Sequence, residues 1–291
     1  MRFHRYDATS RAAGSGLRGY SGLHWYHFRK LLFGLVPAVA LVLALGACRP
    51  APGRPDGTAT LCVAASLSDV VGELAKDCTA TRRFDYVVTA GPSGGLCRQI
   101  ELGAPCDVFL SADPALIDQL VREGKMIGST KRTVATNRLV IAVTSDREGE
   151  VLPADLASER FMRIAMADPE AAPAGRYAKE ALEVMGLWSA VQPKAVFASD
   201  VRAAARLLEL HTVDAAVVYA TDAAASDGIR AAYTFAPRQA SVEYAGAVAA
   251  STKQARASTA FLEFITSPAA VPSWMRHGFA IDKRALSEAA P

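Results

Sequence analysis

Charge is sparse in this chain: Asp, Glu, Lys and Arg make up 21% of 291 residues, and there are five histidines. His4, His24 and His27 precede residue 48, so only His211 and His277 remain beyond it for acid–base work. Cysteine is equally scarce, at 48, 62, 78, 97 and 106. No two form a Cys-x-x-Cys pair and none has a histidine close by in sequence, which argues against a zinc centre. No internal repeat or low-complexity tract runs through residues 48–291, which sets aside solenoid and disordered architectures. Nor does any apolar run give the ~20 uninterrupted residues of a comfortable membrane span. The nearest, from Leu31 to Ala47, contains Gly34, Pro37 and Gly46 and follows Arg29-Lys30, the pattern of an export signal.

That segment closes on Leu45-Gly46-Ala47-Cys48, which resembles a bacterial lipoprotein signal. The resemblance implies cleavage before Cys48 and a lipid anchor on it. The stretch before Arg29 is long for a signal n-region, as an atypical extension or a misplaced start would make it. Residues 1–47 carry six basic side chains (Arg2, Arg5, Arg11, Arg18, Arg29, Lys30) and one acidic (Asp7), so without them the formal charge moves from +3 to −2. A mildly acidic chain with no basic stripe is not built for nucleic acid. Residues 48–59, rich in Pro and Gly, read as a tether from lipid to domain. The other four cysteines lie on an exported chain. They are open to two disulfides, with Cys62–Cys78 and Cys97–Cys106 favoured, or to burial as four small thiols.

From Thr60 onward short β-type runs alternate with helical patterns. Strands are predicted at Leu61–Ala64, Val87-Val88, Val108–Leu110, Leu139–Val143, Arg163–Ala167, Ala195–Phe197, Ala215–Tyr219 and Val242–Ala249. Helices follow through Leu67–Cys78, through Leu116–Val121 up to Gly124, and through Phe261–Ile265. Alternation of this kind predicts an α/β fold of mainly parallel sheets flanked by helices.

Two serines stand where a strand turns directly into a helix: Ser66 after Leu61-Cys62-Val63-Ala64-Ala65, and Ser93 after Val87-Val88-Thr89-Ala90-Gly91-Pro92. A helix start presents unpaired N–H groups and the positive end of a dipole, so two facing starts make an uncharged anion trap. Each serine alone is also an ordinary N-cap, Ser66 opening a Ser-x-x-Asp pattern with Asp69. A third strand-to-helix turn, Asp168-Pro169 to Pro173-Ala174-Gly175, adds weight to the joint reading. Arg98, Arg176 and Arg202 adjoin these motifs and are read as solvated surface charges.

Several motifs occur together and in order: Ala64-Ala65-Ser66-Leu67, Ser93-Gly94 with Arg98-Gln99-Ile100, Gly103-Ala104-Pro105-Cys106-Asp107-Val108-Phe109-Leu110-Ser111-Ala112-Asp113, Pro173-Ala174-Gly175, and Val218-Tyr219-Ala220-Thr221-Asp222-Ala223. In this the chain, from about Thr60 to Ile281, resembles the periplasmic molybdate-binding proteins of ABC importers. The resemblance implies a two-lobed type II periplasmic-binding fold with the ligand in the interlobe cleft, residues 60–137 and 238–291 forming one lobe and 138–237 the other. Chain crossings are expected near Asn137 and Pro237. It implies an oxyanion held by Ser66 and Ser93 from one lobe and by Ala174, Val201 and Tyr219 from the other, Ala174 and Val201 through their backbone. It also implies molybdate or tungstate as ligand, no direct metal ligand, no cofactor, a monomer, and as partner a permease with its ATPase. A fully deprotonated oxyanion needs donors only, which fits this set and favours molybdate, tungstate or sulfate over protonated phosphate.

A sulfate-type binder or a sensor would use the same residues. A hydrolase is a different reading: Gly91-Pro92-Ser93-Gly94-Gly95 satisfies Gly-x-Ser-x-Gly, with His277 as base and Asp222 as its orienter. Proline directly before the nucleophile suits that strained turn poorly.

Overall fold

The computed structural model describes residues 57–237, 240 and 242–281; the export segment and Cys48 lie outside them. The first strand, β1 (Thr58–Ala64), starts three residues before the predicted Leu61 and is buried along its whole length. Burial on both faces is what its Thr-Ala-Thr-Leu-Cys-Val-Ala run, uncharged and polar only at its two threonines, suits. It pairs in parallel with β2 (Asp85–Gly91) on one side and β3 (Val108–Ser111) on the other. Beyond β3 comes β10 (Val242–Val248), antiparallel both to β3 and to β4 (Arg132–Asn137), giving the order β2-β1-β3-β10-β4.

A second sheet repeats the plan. Here β6 (Ile164–Ala167) lies between β7 (Ala195–Ala198) and β8 (Ala215–Tyr219), both parallel to it. Next to β8 runs β5 (Leu139–Thr144), antiparallel to it and to β9 (Ile229–Thr234). Each sheet is therefore a parallel trio extended by antiparallel strands. The antiparallel members sit at the chain's passages between sheets: β4 leads straight into β5 across Arg138, and β9 leads back to β10. A strand that arrives from the neighbouring sheet enters from the opposite end and runs the other way. The half-exposed β4 and β9 are the two strands that the apolar-run pattern does not predict.

Helices cover the sheets. In the first, α1 (Ser68–Arg82) buries Val70, Val71, Leu74 and Cys78, and α2 (Ser93–Glu101) buries Leu96, Cys97 and Ile100. The helix α3 (Pro114–Arg122) is capped by Asp113, whose Oδ1 accepts from Ala115 N at 3.0 Å. In the second, α4 (Pro173–Val184) buries Tyr177, Ala178, Ala181 and Leu182, and α5 (Val201–Glu209) buries Ala204, Ala205 and Leu208. The short α6 (Ala220–Ala224) follows β8, while α7 (Ala255–Ile265) and α8 (Val271–Arg276) are the last of the described helices. No described helix is long and apolar enough to cross a membrane.

The four cysteines of this region are buried thiols, and the favoured disulfide pairing is not formed. Strand alternation explains the first half. Leu61 and Val63 face the cluster that holds Cys78, whereas Cys62 points to the opposite side of β1, among Leu96, Cys97, Cys106 and Phe109. Cys78 Sγ instead meets the Tyr86 hydroxyl at 3.3 Å. Cys97 shares its cluster with Cys106 but points its sulfur at Glu101 Oε1, 3.9 Å away.

Candidate functional site

All five residues expected to hold the ligand lie at or after carboxyl ends of parallel strands. Ser66 and Ser93 each come two residues after β1 and β2, whose last residues, Ala64 and Gly91, are register partners. On the second sheet Ala174 follows β6 and Val201 follows β7, whose ends Ala167 and Ala198 are likewise partners, and Tyr219 closes β8. The crevice outside the carboxyl ends of such strands is where open α/β sheets bind ligands.

Neither serine is a helix cap. Ser66 lies in a 3-10 turn, Ala65–Leu67, ahead of α1, and α2 takes Pro92 as its cap residue without a side-chain bond. Both hydroxyls are engaged from behind instead. Ser93 Oγ accepts from Ala112 N at 3.2 Å, and Ser66 Oγ lies 3.0 Å from the Tyr244 hydroxyl. Both serines are buried, at 1% and 3% exposure. The Tyr219 hydroxyl is buried with no hydrogen-bond partner, a state that disfavours isolation and calls for a polar neighbour. Burial, with Tyr244 and Tyr177 nearby, holds its pKa well above the ordinary tyrosine value, so it stays a donor.

The backbone contributes in the same sense. Ala172 caps α4 without a side-chain bond and Pro173 occupies the first helical position, so the N–H of Ala174 has no intrahelical acceptor. In α5 the Asp200 carboxylate accepts from Ala203 N at 2.9 Å, which leaves the N–H of Val201, at the first position, without such an acceptor. Ala174 and Val201 are both buried.

Contacts tie the two halves of this set together. Tyr244, on the first sheet, packs its ring edge-on against Tyr219, on the second, with centroids 6.1 Å apart. The Tyr177 hydroxyl of α4 donates to Ala112 O at 3.2 Å, and Arg176 reaches Asp113 Oδ2 at 2.6 Å. Arg202 of α5 pairs with Asp69 of α1 at 2.7 Å and lies 3.2 Å from buried Asp222. Of the three arginines read as solvated, only Arg98 keeps that role, 74% exposed beside Glu101. The other two face carboxylates made accessible by the packing of distant segments. At Gly94 a Cβ would sit 2.5 Å from Ala171 O, so the start of α2 touches the loop before α4. A cavity of about 140 Å³ beside Ser66 is lined also by Asp69, Arg202, Thr221 and His277, but by none of the other four residues.

The hydrolase constellation is not assembled. His277 Nε2 is 3.0 Å from Glu73 Oε2, Ser93 is bonded to Ala112 N, and Asp222 faces Arg202. Ser93 also lacks a strained elbow: the described non-glycine residues with positive φ are Arg83 and His211. Among the described residues, no group of three or more His, Cys, Asp or Glu could hold a metal ion. Tyr244, Asn137 and Thr221, which sequence reasoning missed, meet at this site. Asn137 Nδ2 donates to Thr221 Oγ1 at 2.8 Å and to the Tyr244 hydroxyl at 3.2 Å. Only the predicted crossing at Asn137 hinted at its position.

A profile of the family described as bacterial extracellular solute-binding protein matches residues 59–280. The molybdate-binding protein ModA of Escherichia coli is 34% identical over 233 residues, covering 78% of this chain and 90% of that protein. A putative ABC transporter substrate-binding lipoprotein of Bacillus subtilis, YvgL, is 29% identical and covers 87% and 98% respectively. The periplasmic molybdate-binding protein of Azotobacter vinelandii superposes with a TM-score of 0.69 at 23% identity, over 77% of this chain and all of that one, and so shares the fold. By fold, length and sequence together, this chain belongs to the bacterial extracellular solute-binding proteins, a family of binders and not of enzymes.

Proposed function

We propose that this chain captures molybdate outside the cytoplasmic membrane and delivers it to an ABC permease driven by a separate ATPase, with tungstate as a second ligand. The observation that carries the reading is the donor set at the strand ends: three buried hydroxyls (Ser66, Ser93, Tyr219) and two helix-start N–H groups (Ala174, Val201), all neutral. Such a set suits a doubly charged oxyanion that carries no proton, and the molybdate-binding relatives favour molybdate within that class. Residues 60–137 with 238–291 act as one lobe and 138–237 as the other, closing over the anion as a monomer. Cys48 anchors the exported protein by lipid, a reading supported by the lipoprotein name of the Bacillus subtilis relative.

Thermal unfolding of the chain carrying Cys48→Ser, titrated with molybdate, tungstate, sulfate and phosphate, tests this. Ligand at ~1,000 times its dissociation constant adds about 4 kcal/mol, which raises the midpoint by roughly 10 °C. The expected shift appears with molybdate and tungstate and disappears in Ser66→Ala/Ser93→Ala. Response to sulfate alone would change the ligand, and response to none would overturn the proposal.

A further inference from the structure

The hydrogen bonds behind Ser66 have a direction. Asn137 Oδ1 accepts from Arg138 N at 2.8 Å, which fixes the amide so that Nδ2 faces Thr221 Oγ1 and the Tyr244 hydroxyl. An amide NH₂ only donates, so the Tyr244 oxygen accepts a hydrogen bond from Asn137. Tyr244 is fully buried, and its own proton needs an acceptor; Ser66 Oγ stands at 3.0 Å. Burial keeps that phenol protonated, far above the ordinary tyrosine range. Ser66 Oγ is thereby loaded as an acceptor from behind, and its one proton turns forward. Ser93 is loaded in the same sense by Ala112 N, which cannot reverse.

We propose that Tyr244, held by Asn137, is a specificity-determining positioning residue: the chain Asn137 to Tyr244 to Ser66 keeps the serine hydroxyl a donor toward the ligand and so rejects oxyanions that carry a proton. This rests on the oxyanion-binding reading above. A ligand O–H aimed at Ser66 would take the one lone pair left on Oγ, and the serine proton, kept from the Tyr244 oxygen by that phenol's own proton, would lose its ligand acceptor. Molybdate, tungstate and sulfate carry no proton near neutrality, whereas phosphate keeps at least one P–OH.

Isothermal titration of the full chain carrying Cys48→Ser with sodium molybdate, sulfate and phosphate at pH 7 tests the inference against two variants. Tyr244→Phe keeps the ring that packs on Tyr219 and Phe279 and removes the proton. Its molybdate affinity falls about tenfold, and its molybdate-to-phosphate affinity ratio narrows by about tenfold. Asn137→Asp reverses the chain: the new carboxylate accepts from Tyr244, which then accepts from Ser66. The added charge repels the anions, and sulfate, with molybdate's charge and no proton, calibrates that repulsion; beyond it the molybdate-to-phosphate ratio narrows further than in Tyr244→Phe. If Tyr244→Phe does not fold, Asn137→Asp decides alone. A ratio within twofold of the parent in every folded variant, or a parent that binds phosphate as tightly as molybdate, overturns the inference and leaves oxyanion capture standing. A parent that binds none of the three salts overturns both together.

Discussion

Asp222 lies directly behind the strand end that carries Tyr219, buried at 4% exposure with Arg202 Nε 3.2 Å away. Burial dominates, ahead of the opposing Arg202 charge, and raises its pKa to about 7, with Asp200 and Asp69 adding to the rise. The folded protein thus holds a proton that the unfolded chain has already released between about pH 4 and pH 7, so stability falls as pH climbs through that window. Asp222→Asn removes the cost and should flatten this part of the profile, with a gain of up to about 4 kcal/mol above pH 7. Denaturant unfolding at pH 5 and pH 8 checks it: equal losses in parent and variant would show that Asp222 is not the titrating group. Glu73 has the opposite sign. His277, Ser273 and Arg276 hydrogen bond to it and lower its pKa to about 2, so its contribution is present above the usual glutamate range and is lost in acid. Reading residues in sequence placed Ser66 and Ser93 at the strand-to-helix turns but misjudged how they are held. Each looked like a cap for its own helix, and each is bonded to a distant segment, Tyr244 being 178 residues from Ser66.

At the scale of the element, the start of α5 separates backbone from side chain cleanly. Val201 is the first helical residue, and Asp200 before it is extended, with φ −156° and ψ 177°. Both conditions suit proline, whose missing N–H costs a helix nothing at that position. Val201→Pro should leave thermal stability of the unliganded protein within about 1 kcal/mol while weakening molybdate binding roughly tenfold through one lost donor. Unchanged affinity in the folded variant would remove Val201 from the binding set. The elements most legible in sequence were those buried on both faces, β1, β5 and β8, whose apolar runs have no other use. The half-exposed β4 and β9 mix polar and apolar residues like loops. Their strand character is supplied by the neighbours they pair with, and a single chain read in order does not show those neighbours.

Over the whole molecule, the two sheets are joined at the site by pairs formed between carboxylates and arginines of opposite halves, Arg176 with Asp113 and Arg202 with Asp69. Both pairs are partly exposed, and such pairs are individually weak and screened by salt, so they guide the halves into register more than they clamp them. A close backbone approach between the halves is made by a residue without a side chain. With alanine at 94, one added methyl would press on the Ala171 carbonyl from 2.5 Å, and backbone on both sides leaves it little room to yield. Gly94→Ala should therefore fold normally yet bind molybdate at least tenfold more weakly. Its radius of gyration by small-angle scattering should stay at the unliganded value when salt is added, and compaction equal to the parent's would refute this. On the proposed closure, the hydrogen of Gly94 that faces the Ala171 carbonyl is the ruler of the molecule: it would set the distance at which the jaws come to rest, and with it the outline offered to a permease.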